Sequence, residues 1–303
     1  MIIPVHNGER YIEQTIRSAL SSDLRELEIL VVDDGSDDRS ADIVRQINDE
    51  RVTLIQQNAS GGPASPRNVG AARARAPYVA FLDADDLIKP DKLSSTADAL
   101  DRNPQARFAF ADFEHIDADG KILEPSVLAF KIADCAIQSE DVGGSWRLIS
   151  RQELERGLLI RNFIGTSGVV VRRSVLEQIG GFDEGLVYSE DLDLWFRLAH
   201  DGAALYRETV GHSYRLAPGS LTYAPTVDTA RDRIKVLRRE RRRRATRSER
   251  NQIDALIAES LASIGYEHRR NRERFPSVSA FAQALLTHPD VRWVRALVGS
   301  LVS

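Results

Sequence analysis

Three carboxylates follow a short apolar run in the first third of the chain, and their spacing indicates metal and phosphate chemistry. Five apolar residues, 78–82, lead directly into Asp83, Asp85 and Asp86. Carboxylates this close repel one another, and a divalent cation would relieve that repulsion. Mg²⁺ and Mn²⁺ take oxygen ligands of this kind and share them with substrate phosphates. The alternative interpretation is a solvated acidic turn before a helix that starts at Pro90.

The segments around this motif alternate between two periodicities. Apolar runs at 2–5, 27–32, 52–55 and 78–82 predict strands, and the segments between them have helical periodicity. This alternation is typical of a doubly wound, mostly parallel sheet. Polar loops follow the first, second and fourth of these strands. Because ligands bind at the carboxyl ends of such strands, we predict an α/β fold with its site at that edge.

The rest of the chain gives fewer signals. Residues 124–150 show weak periodicity and predict a long irregular loop, of the kind that is often functional. Glu190 and Asp191 open a segment with helical periodicity, where the helix dipole by itself favours acidic residues. From residue 228 onward, apolar residues recur at helical intervals and predict a helical appendage.

These patterns suggest the domain boundaries. We predict one main domain over residues 1–223. A helical C-terminal region would occupy residues 224–303. The 303 residues, with 42% hydrophobic and 28% charged side chains, are enough to bury the core that such a domain needs.

The cysteine content and the apolar runs bear on the compartment. The single cysteine, Cys135, excludes an intramolecular disulfide and suits a reducing environment. No apolar run approaches the ~20 residues that span a bilayer, and the N-terminal residues do not form a signal-peptide pattern. We therefore expect a cytoplasmic protein.

The charge is distributed unevenly along the chain. The net charge is −4, yet residues 231–250 hold eleven Lys and Arg against three Asp and Glu, a local charge of +8. The arginines of Arg238–Arg244 are open to three interpretations: a solvated helix face, a nucleic-acid site, or a contact with an anionic membrane. Residues 231–250 contain no aromatic side chain for base stacking, so no nucleic-acid partner is expected. Two interpretations stay open, a solvated helix face and peripheral contact with the inner face of the membrane through Arg238–Arg244.

Six motifs in order resemble the family 2 glycosyltransferases, which have the GT-A fold. The resemblance covers about residues 1–223 and is carried by Ile2-Ile3-Pro4-Val5-His6-Asn7, Val31-Val32-Asp33-Asp34-Gly35-Ser36, Arg67-Asn68-x-Gly70, Phe81-Leu82-Asp83-Ala84-Asp85-Asp86, Gly180-Gly181-Phe182-Asp183-Glu184 and Glu190-Asp191-Leu192-Asp193-Leu194-Trp195. It implies a nucleoside-diphosphate sugar as donor, a divalent metal, Mn²⁺ or Mg²⁺, and inversion at the anomeric carbon. It also implies a nucleotide-binding half at residues 1–105 and an acceptor half at residues 106–223.

The resemblance also implies which residues bind the nucleotide sugar. Those that would line the nucleotide pocket are Pro4, Val5, Asn7 and Glu9. Asp34 would contact the base, and Arg67 or Asn68 the nucleoside. Asp85 would hold the ribose, and Asp83 would support the acidic cluster or help to bind metal.

For the reaction itself, the resemblance implies a metal ligand and a base. Asp86, with Asp85, would bind the metal and the diphosphate. Asp191 would be the catalytic base, with Glu190 beside it. The family often has a histidine where this chain has Ala217, in the segment Tyr214–Ser220. His212 lies nearby and is the candidate that would replace it as a metal ligand.

The function expected from this resemblance is transfer of a sugar, with a UDP-sugar as the preferred donor. The acceptor would be a hydroxyl of a saccharide or a lipid-linked molecule, in cell-surface polysaccharide or glycoconjugate synthesis. The alternatives are a haloacid-dehalogenase-like phosphatase, a nucleotidyltransferase, or a non-catalytic nucleotide-binding relative. The phosphatase normally carries its first Asp on the first strand, and the nucleotidyltransferase normally has a glycine-rich basic N-terminal loop. This chain shows neither feature, so both alternatives are disfavoured. The chain has no Gly-x-Gly-x-x-Gly, which disfavours a dinucleotide oxidoreductase.

Overall fold

The computed structural model describes residues 1–216 and 227–302. They divide into two compact units. The first contains residues 1–185 and 190–216, and the second contains residues 186–189 and 227–302. Ala217 and the rest of the predicted motif up to Ser220 lie outside the described residues. The predicted boundary between residues 223 and 224 does too, and it stays a prediction.

The first unit begins with a small parallel sheet whose strands end together. Its elements in chain order are β1 (Ile2–Val5), α1 (Ile12–Leu20), β2 (Ile29–Asp34), α2 (Ser40–Gln46), β3 (Val52–Gln57) and α3 (Ala64–Arg73). The strands pair in the order β1-β2-β3, all parallel. Val5 pairs with Asp33 and Asp34 pairs with Gln57, so the polar residues after these strands meet at one edge.

The second sheet of this unit combines parallel and antiparallel strands. Its elements are β4 (Tyr78–Ala80), β5 (Leu87–Ile88), α4 (Lys92–Arg102), β6 (Ala106–Ile116), β7 (Ile122–Glu124), α5 (Leu128–Asp134), β8 (Glu140–Gly143), β9 (Trp146–Ile149), α6 (Arg151–Ile160), a 3₁₀ helix (Thr166–Gly168), β10 (Val170–Arg172), α7 (Arg173–Ile179), α8 (Glu190–Asp201) and β11 (Ala203–Arg215). The main strand order is β4-β10-β6-β11-β9-β8. A parallel bridge between Ile2 and Phe81 connects β1 with the end of β4. The predicted α/β class is confirmed, and the antiparallel pairs lie in this second sheet.

One expectation about the second half of the first unit is wrong, and one long strand was not predicted. Residues 124–150 are not an irregular loop, because they contain α5, β8 and β9. These elements are four to seven residues long, too short to show a full hydrophobic period, and α5 buries only Leu128. The 13-residue strand β11 was also not predicted. It lies at the centre of the sheet, where it pairs with β6, β9 and β5.

Close packing fixes the helices that carry the site. At Gly70, a Cβ atom would lie 2.6 Å from Cγ2 of Ile2, so only glycine lets α3 approach β1 this closely. Trp195 of α8 is fully buried and stacks on Phe108 with ring centroids 6.3 Å apart. Phe182 contacts Trp195 edge-to-face at 6.5 Å. These contacts hold the first turn of α8 in a fixed position.

The second unit is helical, as predicted. It contains α9 (Val227–Arg243), α10 (Arg247–Arg270), α11 (Arg274–Thr287) and α12 (Val291–Val302). Thr246 and Glu249 form a reciprocal capping box at the start of α10, which satisfies two of its free N–H groups. The buried Ser277 hydroxyl lies 2.8 Å from the carbonyl of Gly265 and 2.9 Å from the Ser300 hydroxyl, which joins α10, α11 and α12. None of the described helices is long and apolar enough to cross a membrane.

Candidate active site

The loops after β1 and β2 are joined by hydrogen bonds, as their position at one sheet edge predicted. The backbone N–H of Asn7 donates to Ser36 Oγ at 3.0 Å, and the Asn7 side chain accepts from the N–H of Asp37 at 3.0 Å. Asn7 itself adopts a φ of 53°, a left-handed conformation that Asn tolerates better than most residues. Glu9 accepts from the N–H of Arg39 at 3.1 Å. The two loops therefore form one polar wall.

The residues predicted to line the nucleotide pocket differ in exposure. Pro4 and Val5 are buried within β1, so they support the edge from behind. Asn7 and Glu9 are exposed at its surface. Asp34 is 4% exposed, and its carboxylate accepts from Gln57 Nε2 at 2.6 Å and from the N–H of Ser60 at 3.0 Å. Asp34 thus fixes the loop after β3, while its predicted contact with the base stays a prediction.

The acidic loop after β4 is held by two buried residues. Ser167 Oγ donates to Asp86 Oδ2 at 2.6 Å and accepts from the N–H of Asp83 at 3.0 Å. The N–H of Arg215, at the end of β11, donates to Asp86 Oδ1 at 2.9 Å, and its side chain donates to the carbonyl of Asp85 at 2.8 Å. These bonds keep the three carboxylates of the loop close together.

The electrostatics of this loop fit a cation. Burial and the neighbouring Asp83 raise the pKa of Asp85 to about 6. Burial, Asp85 and Asp83 raise the pKa of Asp86 well above its ordinary value. No group of three or more His, Cys, Asp and Glu side chains among residues 1–216 and 227–302 forms a ready metal site. Mg²⁺ normally takes one or two carboxylates and completes its shell with substrate phosphates and water, and this loop offers that donor set.

Arg67 joins the acidic loop to the start of α8. Its side chain is almost fully buried and donates from Nη2 to Asp83 Oδ1 and from Nη1 to Glu190 Oε1, each at 2.7 Å. Burial opposes the charge, but Asp83 and Glu190 together raise the pKa of Arg67 above its ordinary value. The ring of Phe182 lies under the guanidinium, 5.2 Å away. One arginine therefore brings Asp83 and Glu190, which are 107 positions apart in sequence, to the same place.

This arrangement gives Arg67 and Asn68 roles that the sequence did not predict. The Asn68 side chain donates to the carbonyl of Phe182 at 2.9 Å and accepts from its N–H at 2.8 Å. It also donates to Glu184 at 2.9 Å. Both side chains thus hold the acceptor-side segments against α3. The nucleoside contact predicted for Arg67 or Asn68 stays a prediction.

Glu190 and Asp191 lie in the first turn of α8 in different surroundings. Glu190 is 7% exposed, and burial together with the neighbouring Asp191 raises its pKa to about 7. Asp191 is half-buried, and Asn162 Nδ2 donates to its Oδ2 at 2.7 Å. Burial raises the pKa of Asp191 above its ordinary value. Of the two carboxylates, Asp191 has the better access to an acceptor hydroxyl.

His212 does not lie where a ligand of an open metal site would be expected. Its side chain is fully buried on β11 and stacks on Phe113, with ring centroids 5.1 Å apart. Neither ring nitrogen has a hydrogen-bond partner in the part of the chain that the structure describes. Burial lowers the pKa of His212 well below its ordinary value. The structure places the imidazole in the core, so the predicted metal role is not supported.

Sequence reasoning missed three residues of this site: Asn162, Ser167 and Arg215. The first two lie between predicted elements, in a segment where no periodicity or motif marks them. Arg215 belongs to the Tyr214–Ser220 segment, in which Ala217 marks the departure from the family pattern and no feature marks the arginine. Only the packing of β11 against the acidic loop shows that the arginine closes it.

Several known proteins are similar to this chain. The family model for "Glycosyl transferase family 2" matches residues 1–180. An uncharacterized glycosyltransferase of Haemophilus influenzae is 38% identical over 120 residues, which is 38% of this chain and 48% of that protein. The succinoglycan biosynthesis protein ExoO of Rhizobium meliloti is 29% identical over 231 residues, 75% of this chain and 63% of that protein. The chain therefore spans between about half and two thirds of these relatives.

The fold is also found in solved structures. Residues 1–349 of TarS from S. aureus in complex with UDP superpose with a TM-score of 0.62 at 20% identity, over 98% of this chain and 82% of that one. The complex of the same protein with UDP-GlcNAc gives a TM-score of 0.64. The likeness confirms the predicted fold. With the family match over residues 1–180 and the acidic loop in place, the chain belongs to glycosyl transferase family 2.

Proposed function

We propose that this chain is an inverting, metal-dependent glycosyltransferase that moves a sugar from a nucleoside diphosphate to an acceptor hydroxyl. The observation that carries the proposal is the double ion pair of Arg67 with Asp83 and Glu190. It brings the acidic loop and the first turn of α8, which carries Asp191, into one site. A donor site and a base are the two parts that a single displacement requires.

We propose a UDP-sugar as the donor and a saccharide or lipid-linked saccharide as the acceptor. TarS, which shares the fold, was solved with UDP and with UDP-GlcNAc, which supports the uridine nucleotide. The name of ExoO places that relative in succinoglycan biosynthesis, which supports a role in polysaccharide synthesis. The exposed side chains of Asn7 and Glu9 and the buried carboxylate of Asp34 would form the nucleotide side of the pocket.

On the donor side, the residues would hold the diphosphate that leaves. A divalent cation bound by Asp86 and Asp85 would neutralise the charge that develops on the diphosphate. Ser167 and Arg215 hold the Asp86 carboxylate through both of its oxygens and thereby aim it. Arg67 balances the charge of Asp83, which lowers the repulsion among the three carboxylates.

On the acceptor side, Asp191 would accept a proton. The acceptor oxygen forms a bond to the anomeric carbon, the bond from that carbon to the diphosphate oxygen breaks, and the hydroxyl proton moves to an Asp191 carboxylate oxygen. Asn162 orients that carboxylate through its bond to Oδ2. One displacement inverts the configuration, so no second carboxylate nucleophile is needed.

Binding of the donor is tested by thermal unfolding with a panel of nucleoside diphosphates, each with and without Mn²⁺. A ligand that binds only the folded state raises the melting temperature, and we expect UDP with Mn²⁺ to give the largest rise. Asp86→Asn should abolish the Mn²⁺-dependent part. Asp98→Asn, which removes one exposed carboxylate from α4, is the matched control and should leave it unchanged. No shift with any nucleotide would contradict the donor site.

Transfer is tested by following UDP release from UDP-sugars with and without saccharide acceptors. We expect release that depends on Mn²⁺ or Mg²⁺ and that Asp191→Asn reduces by about 100-fold or more, because general-base catalysis contributes about 10²–10⁴-fold. Nucleotide binding without any release would instead indicate a non-catalytic relative. Near-normal release by Asp191→Asn would remove Asp191 from the role of base.

A further inference from the structure

The last helix of the second unit presents an apolar stripe to solvent. Its inward face is formed by Trp293, Ala296 and Ser300, which are at most 6% exposed. The apolar residues of its outward side are Val291, Val294, Val298 and Leu301, with exposures of 62%, 43%, 53% and 49%. They recur every three or four residues, so they lie along one side of the helix. On its outward side an amphipathic surface helix usually exposes polar residues, whereas α12 exposes these apolar side chains.

Arginines of α9 line a cleft with the end of α11, the helix that precedes this stripe in the chain. Arg238, Arg241 and Arg242 line a cleft together with Ile257 of α10 and Thr287 of α11. Thr287 follows Leu286, whose side chain is 85% exposed. α12 begins four residues after Thr287, so a short connection joins the end of α11, which lines the cleft, to the start of the apolar stripe.

The arginines of this cleft are not equivalent. Arg241 is bound to Asp254 by two hydrogen bonds, one of them 2.9 Å long, and so serves the packing of α9 on α10. Arg238 and Arg242 are exposed, and neither has an ion pair within the described portion of the chain. They are one helical turn apart, on the same side of α9. Their charges are therefore available to an anionic partner.

We propose that the second unit docks on an anionic lipid surface. Arg238 and Arg242 would contact the phosphate groups of the lipids, and Leu286 with the apolar stripe of α12 would enter the headgroup region. Amphipathic helices with basic and apolar residues bind membranes in this way, lying in the plane of the interface. The proposal assigns a binding surface and does not depend on the glycosyltransferase activity.

Charge favours lipid over the other partners of an apolar stripe. Residues 227–303 hold 17 Lys and Arg against nine Asp and Glu, a formal charge of +8, whereas the rest of the chain carries −12. A second copy would bring two such basic units together, and like charges oppose that contact. A nucleic acid would satisfy the arginines but would offer nothing to the apolar stripe. An anionic membrane satisfies both, at about 1 kcal/mol for each basic residue near the surface.

The test is co-sedimentation of the full chain with vesicles of phosphatidylcholine alone or mixed with phosphatidylglycerol, at low and high salt. We expect binding to the mixed vesicles only, weakened by salt because exposed charges are screened. Arg238→Gln/Arg242→Gln should reduce the binding by roughly 25-fold, the equivalent of about 1 kcal/mol per arginine. The control Arg25→Gln/Arg102→Gln removes two exposed charges from the first unit and should bind normally.

The apolar contribution needs its own variant. Val294→Gln/Val298→Gln should weaken binding, and glutamine is the better helix former, so α12 should persist. Ile122→Gln/Leu123→Gln, at exposures of 52% and 55% on β7, is the matched control and should bind normally. Circular dichroism checks that each variant is folded.

Three outcomes would overturn the proposal. The first is no binding to mixed vesicles at low salt, and the second is binding that neither the Arg238/Arg242 nor the Val294/Val298 variant reduces. The third is a dimer in light scattering that Val294→Gln/Val298→Gln dissociates while vesicles are not bound, which would assign the stripe to a second copy.

Discussion

The most direct test of the site concerns Arg67, whose two ion pairs cross from the acidic loop to α8. Arg67→Met removes the guanidinium and keeps a side chain of similar length. Glu190 then stays buried, 7% exposed, without its cation. Removing one partner of a buried ion pair costs about 3–5 kcal/mol, because the remaining carboxylate must either stay charged without a partner or take up a proton.

The expected loss lies at the lower end of this range. The Asp83 side chain is 29% exposed and can recover water, whereas that of Glu190 is only 9% exposed. We therefore expect Arg67→Met to lower the free energy of unfolding by about 3 kcal/mol, most of it from Glu190. Urea unfolding followed by circular dichroism measures this loss.

A matched control separates burial from contact distance. The pair of Arg173 with Glu177 on α7 has a similar N–O distance, 2.6 Å against 2.7 Å, but its side chains are 37% and 58% exposed. Arg173→Met should cost no more than about 1.5 kcal/mol, because the exposed pair contributes about 0.5 kcal/mol at most and the hydrogen bond from Arg173 Nε to the carbonyl of Ala76 about 1 kcal/mol. In a Glu190→Gln background, the loss in the free energy of unfolding caused by Arg67→Met should be smaller by at least about 1 kcal/mol, because no unpaired Glu190 carboxylate is then left behind. Equal losses for Arg67→Met and Arg173→Met would refute the reasoning from burial.

Three further predictions follow from the same contacts. Burial lowers the pKa of Lys92 from 10.5 to about 7, so between these pH values the unfolded chain binds more protons than the folded chain and stability rises with pH. Lys92→Met should flatten that rise, measured by urea unfolding at pH 7 and pH 9. An equal rise in the variant and the original chain would contradict the lowered pKa of Lys92. Burial raises the pKa of Asp191, so the transfer rate should increase with pH, with a midpoint above the pKa of an ordinary carboxyl group. Asn162→Ala should move this midpoint upward and lower kcat more than it changes KM, because it removes a hydrogen bond to the Asp191 carboxylate. An unchanged pH profile of the rate would remove Asn162 from its orienting role. Gly70→Ala would place a Cβ 2.6 Å from Cγ2 of Ile2 and should cost about 1–3 kcal/mol in the free energy of unfolding, so a neutral result would mean that α3 can shift away from β1.

The sequence alone was enough to predict the first sheet and the helical unit. Strands β1, β2 and β3 are apolar runs that stop at polar loops, and that local pattern predicts both the strands and the ends at which the polar residues lie. The long amphipathic helices α9 and α10 repeat their apolar positions over many turns, so their type is clear from periodicity. The acidic loop was recognised because three adjacent carboxylates repel one another, and a bound cation would relieve that repulsion.

Only the tertiary structure could decide which side chains complete the site. Arg67 and Asn68 belong to a motif in the sequence, but which atoms they bind depends on how α3, the acidic loop and α8 pack together. Arg215 reaches Asp86 only because β11 lies in the centre of the second sheet, 129 residues away along the chain. His212, on the same strand, is turned into the core instead. Sequence patterns report local periodicity and residue type, whereas such contacts depend on long-range packing, which no local pattern contains.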